Sequence, residues 1–341
     1  MAVGYSDSTP GRMYGTDGGV VRIGYKLFAE AYSPTELVRQ AIRAEEAGFD
    51  FVEISDHFHP WLHDQNHSGF AWSILGSIAA KTSTLGLATG VTCPFVRYHP
   101  AIVAQAAATT ALLSDGRFVL GLGSGENLNE HVVARGWPAA ATRSQMLRES
   151  IEIIRLLWSG GYHSYNGRHL ELEDARVFDL PEELPPIIVA GSGGPAAKIA
   201  AELGDGLFAT EADPDLVARY EEAGGSGSRY AEVPLSWAPT EAAALQSAHR
   251  LFRFSAAGWK VQAELPNPVN FEAAASVVRE SDIAESFGYG PDPGRHLDRI
   301  RAFADAGFDH LALVNAGPDA DGFFDFYGAE LAPALEAFTT V

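Results

Sequence analysis

The chain has 341 residues, 46% of them hydrophobic and 20% charged, which is enough apolar material for one large core. Twenty-four basic against 44 acidic residues give a formal net charge of −20, which sets the protein against nucleic acid and anionic membranes as partners. A single cysteine, Cys93, excludes an internal disulfide, and no uninterrupted apolar run of about 18 residues marks a membrane span.

Residues 1–19 are polar and glycine-rich, with no basic patch leading into an apolar run, and read as a flexible N-terminal segment of a cytoplasmic protein. A single domain over residues 20–341 is expected to follow. Its first strand signal spans residues 20–28. Ser33-Pro34-Thr35-Glu36 then supplies an N-cap, a first-turn proline and a first-turn acid, with Leu37, Ile42 and Ala47 at helical spacing. Further strand signals cover residues 51–55, 85–91 and 118–123. Residues 162–177 alternate polar and apolar around Asn166-Gly167 and read as a hairpin outside the main pattern. Strands over 187–190 and 206–209 come next. Residues 211–229, acidic and then rich in Gly and Ser, read as an exposed connection. The last two strand signals are 233–237 and 310–314, with Leu265-Pro266-Asn267-Pro268 between them in a helical insertion suited to roof a barrel mouth.

Eight strands alternating with helices are the pattern of a (β/α)8 TIM barrel, an α/β fold. An internal echo points the same way. Ala44-Glu45-Glu46-Ala47-Gly48-Phe49-Asp50 and Phe303-Ala304-Asp305-Ala306-Gly307-Phe308-Asp309 each lead into a strand, with Gly where a helix needs a left-handed C-terminal residue; Ala201-Glu202-Leu203-Gly204-Asp205-Gly206 is a shorter version.

Barrel sites are built from the loops that follow the strands, so those residues are the candidates. His57 is the candidate general base, because imidazole titrates near neutrality and Asp56 or another carboxylate can hold its tautomer. Trp61 and Phe58 offer walls for a flat ring or a substrate, and Glu30 at the end of the first strand points to the same mouth. Glu126 follows a glycine-rich turn and is a candidate acid, or else an ordinary first-turn Glu. Gly191 to Gly194, ahead of a helix, suits an anion cradle or a plain turn. His57-Phe58-His59 also admits a metal-dependent hydrolase, although later strand ends supply few further ligands.

Several blocks in fixed order resemble the luciferase-like, deazaflavin-dependent oxidoreductases, above all the glucose-6-phosphate dehydrogenase group that uses coenzyme F420. They are Gly24-Tyr25-Lys26 with Glu30, Ser55-Asp56-His57-Phe58-His59-Pro60-Trp61, Thr89-Gly90-Val91-Thr92-Cys93-Pro94, Arg97-Tyr98-His99-Pro100 and Gly121 to Glu130. The resemblance implies that His57 takes the substrate hydroxyl proton as hydride passes to the deazaflavin C5, with Trp61 beside the reacting centre. It further implies that Glu126 donates a proton toward the ring and that Glu30 completes the substrate side. By the same resemblance Gly90-Val91 is a non-prolyl cis peptide behind the ring, Asp56, Cys93 and Asn129 line the cofactor, and Gly193 and Gly194 approach its phosphate.

Flavin mononucleotide is the alternative cofactor and no metal is expected; the expected assembly is a homodimer. At the substrate end the chain departs from the sugar-phosphate enzymes: a Thr is kept as Thr210, but their basic positions fall on Asp213, Ala274 and Ser286. Lys260 or Arg279 remain to anchor a phosphate, and a neutral alcohol or sugar is the competing substrate. Arg97, Lys198 and Arg168 are the expected offsets to the acidic field around an anionic cofactor.

Overall fold

The computed structural model describes residues 14–16 and 19–337. Eight strands run parallel: β1 (Gly19–Leu27), β2 (Phe51–Ile54), β3 (Gly86–Thr89), β4 (Phe118–Leu122), β5 (Ile187–Ala190), β6 (Gly206–Ala209), β7 (Ser228–Ser236) and β8 (His310–Asn315). Each pairs with its successor, and β8 returns to β1 through His310 opposite Arg22 and Leu313 opposite Tyr25, so the sheet closes. This is the expected (β/α)8 barrel. The segment expected to be flexible lies largely outside the described residues; Tyr14–Thr16 within it pairs antiparallel with Gly19–Val21.

The first helix, α1 (Pro34–Ala47), starts where Ser33 Oγ accepts from Glu36 N–H and ends at Gly48, whose φ of 83° is the left-handed turn that glycine takes without steric cost. Gly307 repeats this with φ 99°. The third echo differs: Gly204 has φ −87° and is extended, because the strand resumes at once through Asp205 N to Ile187 O.

Two expectations need correction. The supposed connection over 211–229 contains an α-helix, Pro214–Glu222, capped by Asp213, whose Oδ1 accepts from Asp215 N and Leu216 N. β7 also begins five residues before the expected 233, because Asp309 holds Arg229 through both its backbone N–H and its guanidinium Nε. The expected hairpin is present as His163–Asn166 against Glu171–Ala175, but it turns through Gly167 to Leu170, where Glu149 accepts from the backbone N–H groups of Arg168, His169 and Leu170.

Alternation along the strands sends every second side chain inward. Phe51, Ile188, Phe208, Tyr230 and Ala312 form the apolar floor, and Gly24 makes room for it, since a Cβ there would lie 2.4 Å from the Phe51 ring. The next inward positions toward the mouth are Lys26, Glu53 and Glu232. Between β7 and β8 the chain makes a run of short helices that includes Pro268–Ala274. From it Phe254 and Phe271 pack on Trp61, Leu62 and Leu128, so the insertion covers one side of the mouth.

Candidate active site

The sequence candidates converge where β1, β2, β3 and β4 end. Glu30, 1% exposed, pairs with His57 Nδ1, while His57 Nε2 stands 4.0 Å from Glu126 Oε2. Burial alone would favour neutral His57, but the Glu30 carboxylate, and more weakly Glu126, outweigh it and hold its pKa above the ordinary histidine value. Glu30 moves the opposite way: against the cost of burial, His57 and then Lys26 hold its carboxyl below the usual range. The carboxylate that supports His57 is therefore Glu30 rather than its sequence neighbour.

Asp56 is occupied otherwise. Its Oδ2 accepts from Thr92 Oγ1 at 2.9 Å and Trp72 Nε1 at 3.2 Å, and its Oδ1 from Tyr98 OH and Arg97 Nη2. Arg97 also reaches the Asp56 carbonyl at 2.6 Å, and its backbone N–H and Nε bind Glu130. Thus Arg97 is committed to two carboxylates and is not a spare cation. Burial pushes the Glu130 carboxyl up to about 8 despite Arg97.

Trp61 lies edge-on to the His57 ring at 5.1 Å and stacks on Phe254 at 4.7 Å with only 5° between the planes. Gln65 Oε1 fixes its backbone N–H. Phe58 is instead exposed. Asn129 ties the two loops together: its Oδ1 accepts from Phe58 N and His59 N, and its Nδ2 donates to Glu126 Oε2 at 3.2 Å. His59 turns its Nδ1 to the Leu128 carbonyl, and among the described residues no three His, Cys, Asp or Glu side chains gather as a metal site.

The Gly90-Val91 peptide is cis. Gly121, Gly123 and Gly125 pack against this segment: added Cβ atoms would lie 1.9 Å from Thr89 O, 2.6 Å from Val91 Cγ2 and 2.6 Å from Cys93 Sγ. Hence the glycine-rich turn admits neighbouring protein rather than a ligand, and it sets Glu126 in place. Cys93 is buried, its Sγ directed to Phe95 O, and burial pushes its thiol well above the ordinary range.

Beneath the mouth, Lys26 Nζ donates to Glu53 at 3.0 Å, to Glu232 and to the Gly90 carbonyl at 2.7 Å. Burial, joined by the neighbouring Glu232, pushes Glu53 up to about 8 although Lys26 opposes it. These residues carried a legible signal, since each charge sits inside an otherwise apolar strand: Tyr25-Lys26-Leu27, Val52-Glu53-Ile54 and Ala231-Glu232-Val233.

At the glycine turn after β5, a Cβ on Gly193 would meet nothing within 4 Å, and one on Gly194 would meet only Arg219 Cδ at 3.9 Å. Open space thus faces the N-terminus of the helix Gly194–Leu203. Thr210 is exposed after β6, and Arg279 is 79% exposed and bound to Asp282 at 3.1 Å. Lys260, also exposed, lies in the short helix Trp259–Gln262; the neighbouring Ala263 carbonyl accepts from Asn127 N, beside Glu126. Lys198 is 64% exposed and pairs with Glu202; Arg168 is exposed at the hairpin turn.

Residues 1–310 match the family model described as luciferase-like monooxygenase. The chain belongs to this family. A relative from Microbacterium testaceum (strain StLB037), an F420-dependent glucose-6-phosphate dehydrogenase, is 34% identical over 92% of this luciferase-like chain and 97% of its own. Another of the same name, from Beutenbergia cavernae, is 35% identical over 93% and 98%. Among solved structures, an F420-dependent secondary alcohol dehydrogenase in complex with an F420-acetone adduct superimposes with a TM-score of 0.86 at 30% identity, covering 92% of this chain and 99% of that one.

Proposed function

We propose that this protein is an F420-dependent dehydrogenase acting on CH–OH groups, with His57 as the base. The observation that carries the reading is the line Glu30, His57, Glu126: one imidazole nitrogen is held by a buried carboxylate and the other faces a second carboxylate across the mouth. The similarity to F420-dependent dehydrogenases over nearly the whole chain supports it.

The residues fit such a cofactor. The open space at Gly193 and Gly194, under helix amides and beside Arg219, suits a phosphate, and the wall that half-buried Val91 makes on the cis Gly90-Val91 peptide suits a flat ring. When bound, the deazaflavin supplies the ring carbon that accepts or returns hydride. His57 Nε2 takes the proton of the substrate hydroxyl, and Glu30 stabilises the imidazolium that results. Trp61, fixed by Phe254 and Gln65, orients the reacting carbon and keeps water from it. Glu126, held by Asn129, stands where it would pass a proton to or from the ring when the cofactor is bound, and Asp56 with Arg97 holds the loops in register. Flavin mononucleotide is the second reading, and the same wall would hold it.

For the substrate we favour a neutral alcohol or sugar over a phosphate. Asp213 is spent on a helix cap and Arg279 on Asp282, which leaves Thr210 and Lys260 as the contacts for any phosphorylated substrate. A phosphate dianion needs a basic clamp. The deciding experiment titrates the purified protein with oxidised F420, then with flavin mononucleotide, and follows bleaching of each on adding secondary alcohols, free sugars and sugar phosphates. F420 binding, with bleaching that His57→Ala abolishes, is the expected result; no F420 binding would sink the proposal.

A cytoplasmic homodimer completes the reading. A groove of about 360 Å³ carries Phe70, Ile102 and Leu113, each more than half exposed, an apolar surface of the kind that associates. The buried free thiol of Cys93 suits a reducing compartment, and no described helix is long and apolar enough to cross a membrane.

A further inference from the structure

The geometry points to Lys26, clamped between Glu53 and Glu232, as the positioning residue that fixes the floor of the cofactor site through the Gly90 carbonyl. This inference rests on the F420 reading above.

Gly90 is held on three sides. Its N–H donates to Ile54 O at 2.8 Å, its carbonyl accepts from Lys26 Nζ at 2.7 Å, and its Cα lies so close to Glu53 that an added Cβ would sit 2.2 Å from the Glu53 carboxyl carbon. Val91 in turn packs on Gly121 and Gly123, and Thr92 reaches Asp56, so the pinned segment is continuous with the loops that carry His57 and Glu126. The ammonium has three donors, and all three are used within the barrel.

Stability alone is a poor explanation for such a cluster. A buried ion cluster can often be replaced by well-packed apolar residues at no cost to the fold, because desolvating the charges offsets their attraction. What apolar residues cannot supply is a directed donor to a carbonyl one layer below the mouth. Lys26 also lies within electrostatic reach of both Glu30 and His57, so its charge is fixed under the reacting groups as well as under the floor.

The test compares wild type with the apolar triple variant Lys26→Met/Glu53→Leu/Glu232→Met, measuring the melting temperature, the Kd for F420 by fluorescence quenching, and kcat. The expected result is a melting temperature close to wild type with F420 affinity weakened about tenfold or more and kcat reduced, since small misplacement of a binding wall is costly. A folded triple variant that binds F420 as tightly as wild type would overturn the inference. Should the triple variant fail to fold, the pair Lys26→Met/Glu232→Gln carries the same comparison, and unchanged affinity there overturns it equally. Failure of wild type itself to bind F420 would instead overturn the functional reading on which this rests.

Discussion

Replacing Glu30 with Gln removes one charge at the centre of the site and little volume. In the wild type that charge holds the His57 pKa above its ordinary value, while Glu126 at 4.0 Å and Lys26 remain in place in the variant. Alcohol oxidation needs neutral His57, so the rate rises with pH through the His57 pKa. Without Glu30 that pKa falls, and the acidic limb of kcat/KM must move to lower pH. Above the limb the variant is slower, because the imidazolium formed during transfer loses a charge-assisted hydrogen bond. Such a bond contributes about 1.5–3 kcal/mol, which corresponds to roughly ten- to hundredfold in rate. In the reverse direction the imidazolium is the proton donor, so the alkaline limb of ketone reduction should also move down in pH. The assay is the initial rate of F420 reduction by a responsive alcohol from about pH 5 to about pH 9, with a thermal melt to confirm folding. An acidic limb that stays put or moves up would refute the assignment of Glu30 as the partner of His57.

Glu53 keeps its proton to about pH 8 in the fold but releases it near 4.5 when unfolded. The folded state therefore binds an extra proton between those values, and stability falls as pH rises through that window, by up to about 1.4 kcal/mol per pH unit. Glu53→Gln should flatten this slope in melts at several pH values; an unchanged slope would show that Glu53 does not titrate in this way. Gly125→Ala places a Cβ 2.6 Å from Cys93 Sγ at a φ of 70° and should cost about 1–3 kcal/mol, with lowered activity because Glu126 is displaced. A melting temperature equal to wild type would contradict that packing. Arg219→Ala should weaken F420 binding severalfold and reduce its dependence on salt, as loss of a partly exposed phosphate contact does; equal affinity at low and high salt would place the phosphate elsewhere.

The barrel was largely legible in the sequence, because its elements depend on local physics. Ser33-Pro34 at the start of α1 and Gly48 and Gly307 at helix ends are set by the conformations those residues favour, whatever surrounds them. The residues at the strand ends were legible too, since a barrel brings all such ends to one mouth. The helix over Pro214–Glu222 escaped because acidic and Gly-Ser composition outweighed the Asp213-Pro214 start signal, and the early start of β7 depends on Asp309, 80 residues away.

Partnerships were what only the tertiary structure could decide. That Glu30 rather than Asp56 supports His57, that Arg97 is consumed by Asp56 and Glu130, and that Arg219 stands beside Gly194 all depend on which loops the closed sheet places side by side. The inward charges show the division most plainly. Their presence within apolar strands could be read from the sequence, but that Lys26, Glu53 and Glu232 meet under Gly90 depends on the parallel register of β1 with β2 and on closure of the ring through β8 to β7. Side-chain parity is local, whereas the neighbour across a barrel is set by how the whole sheet closes.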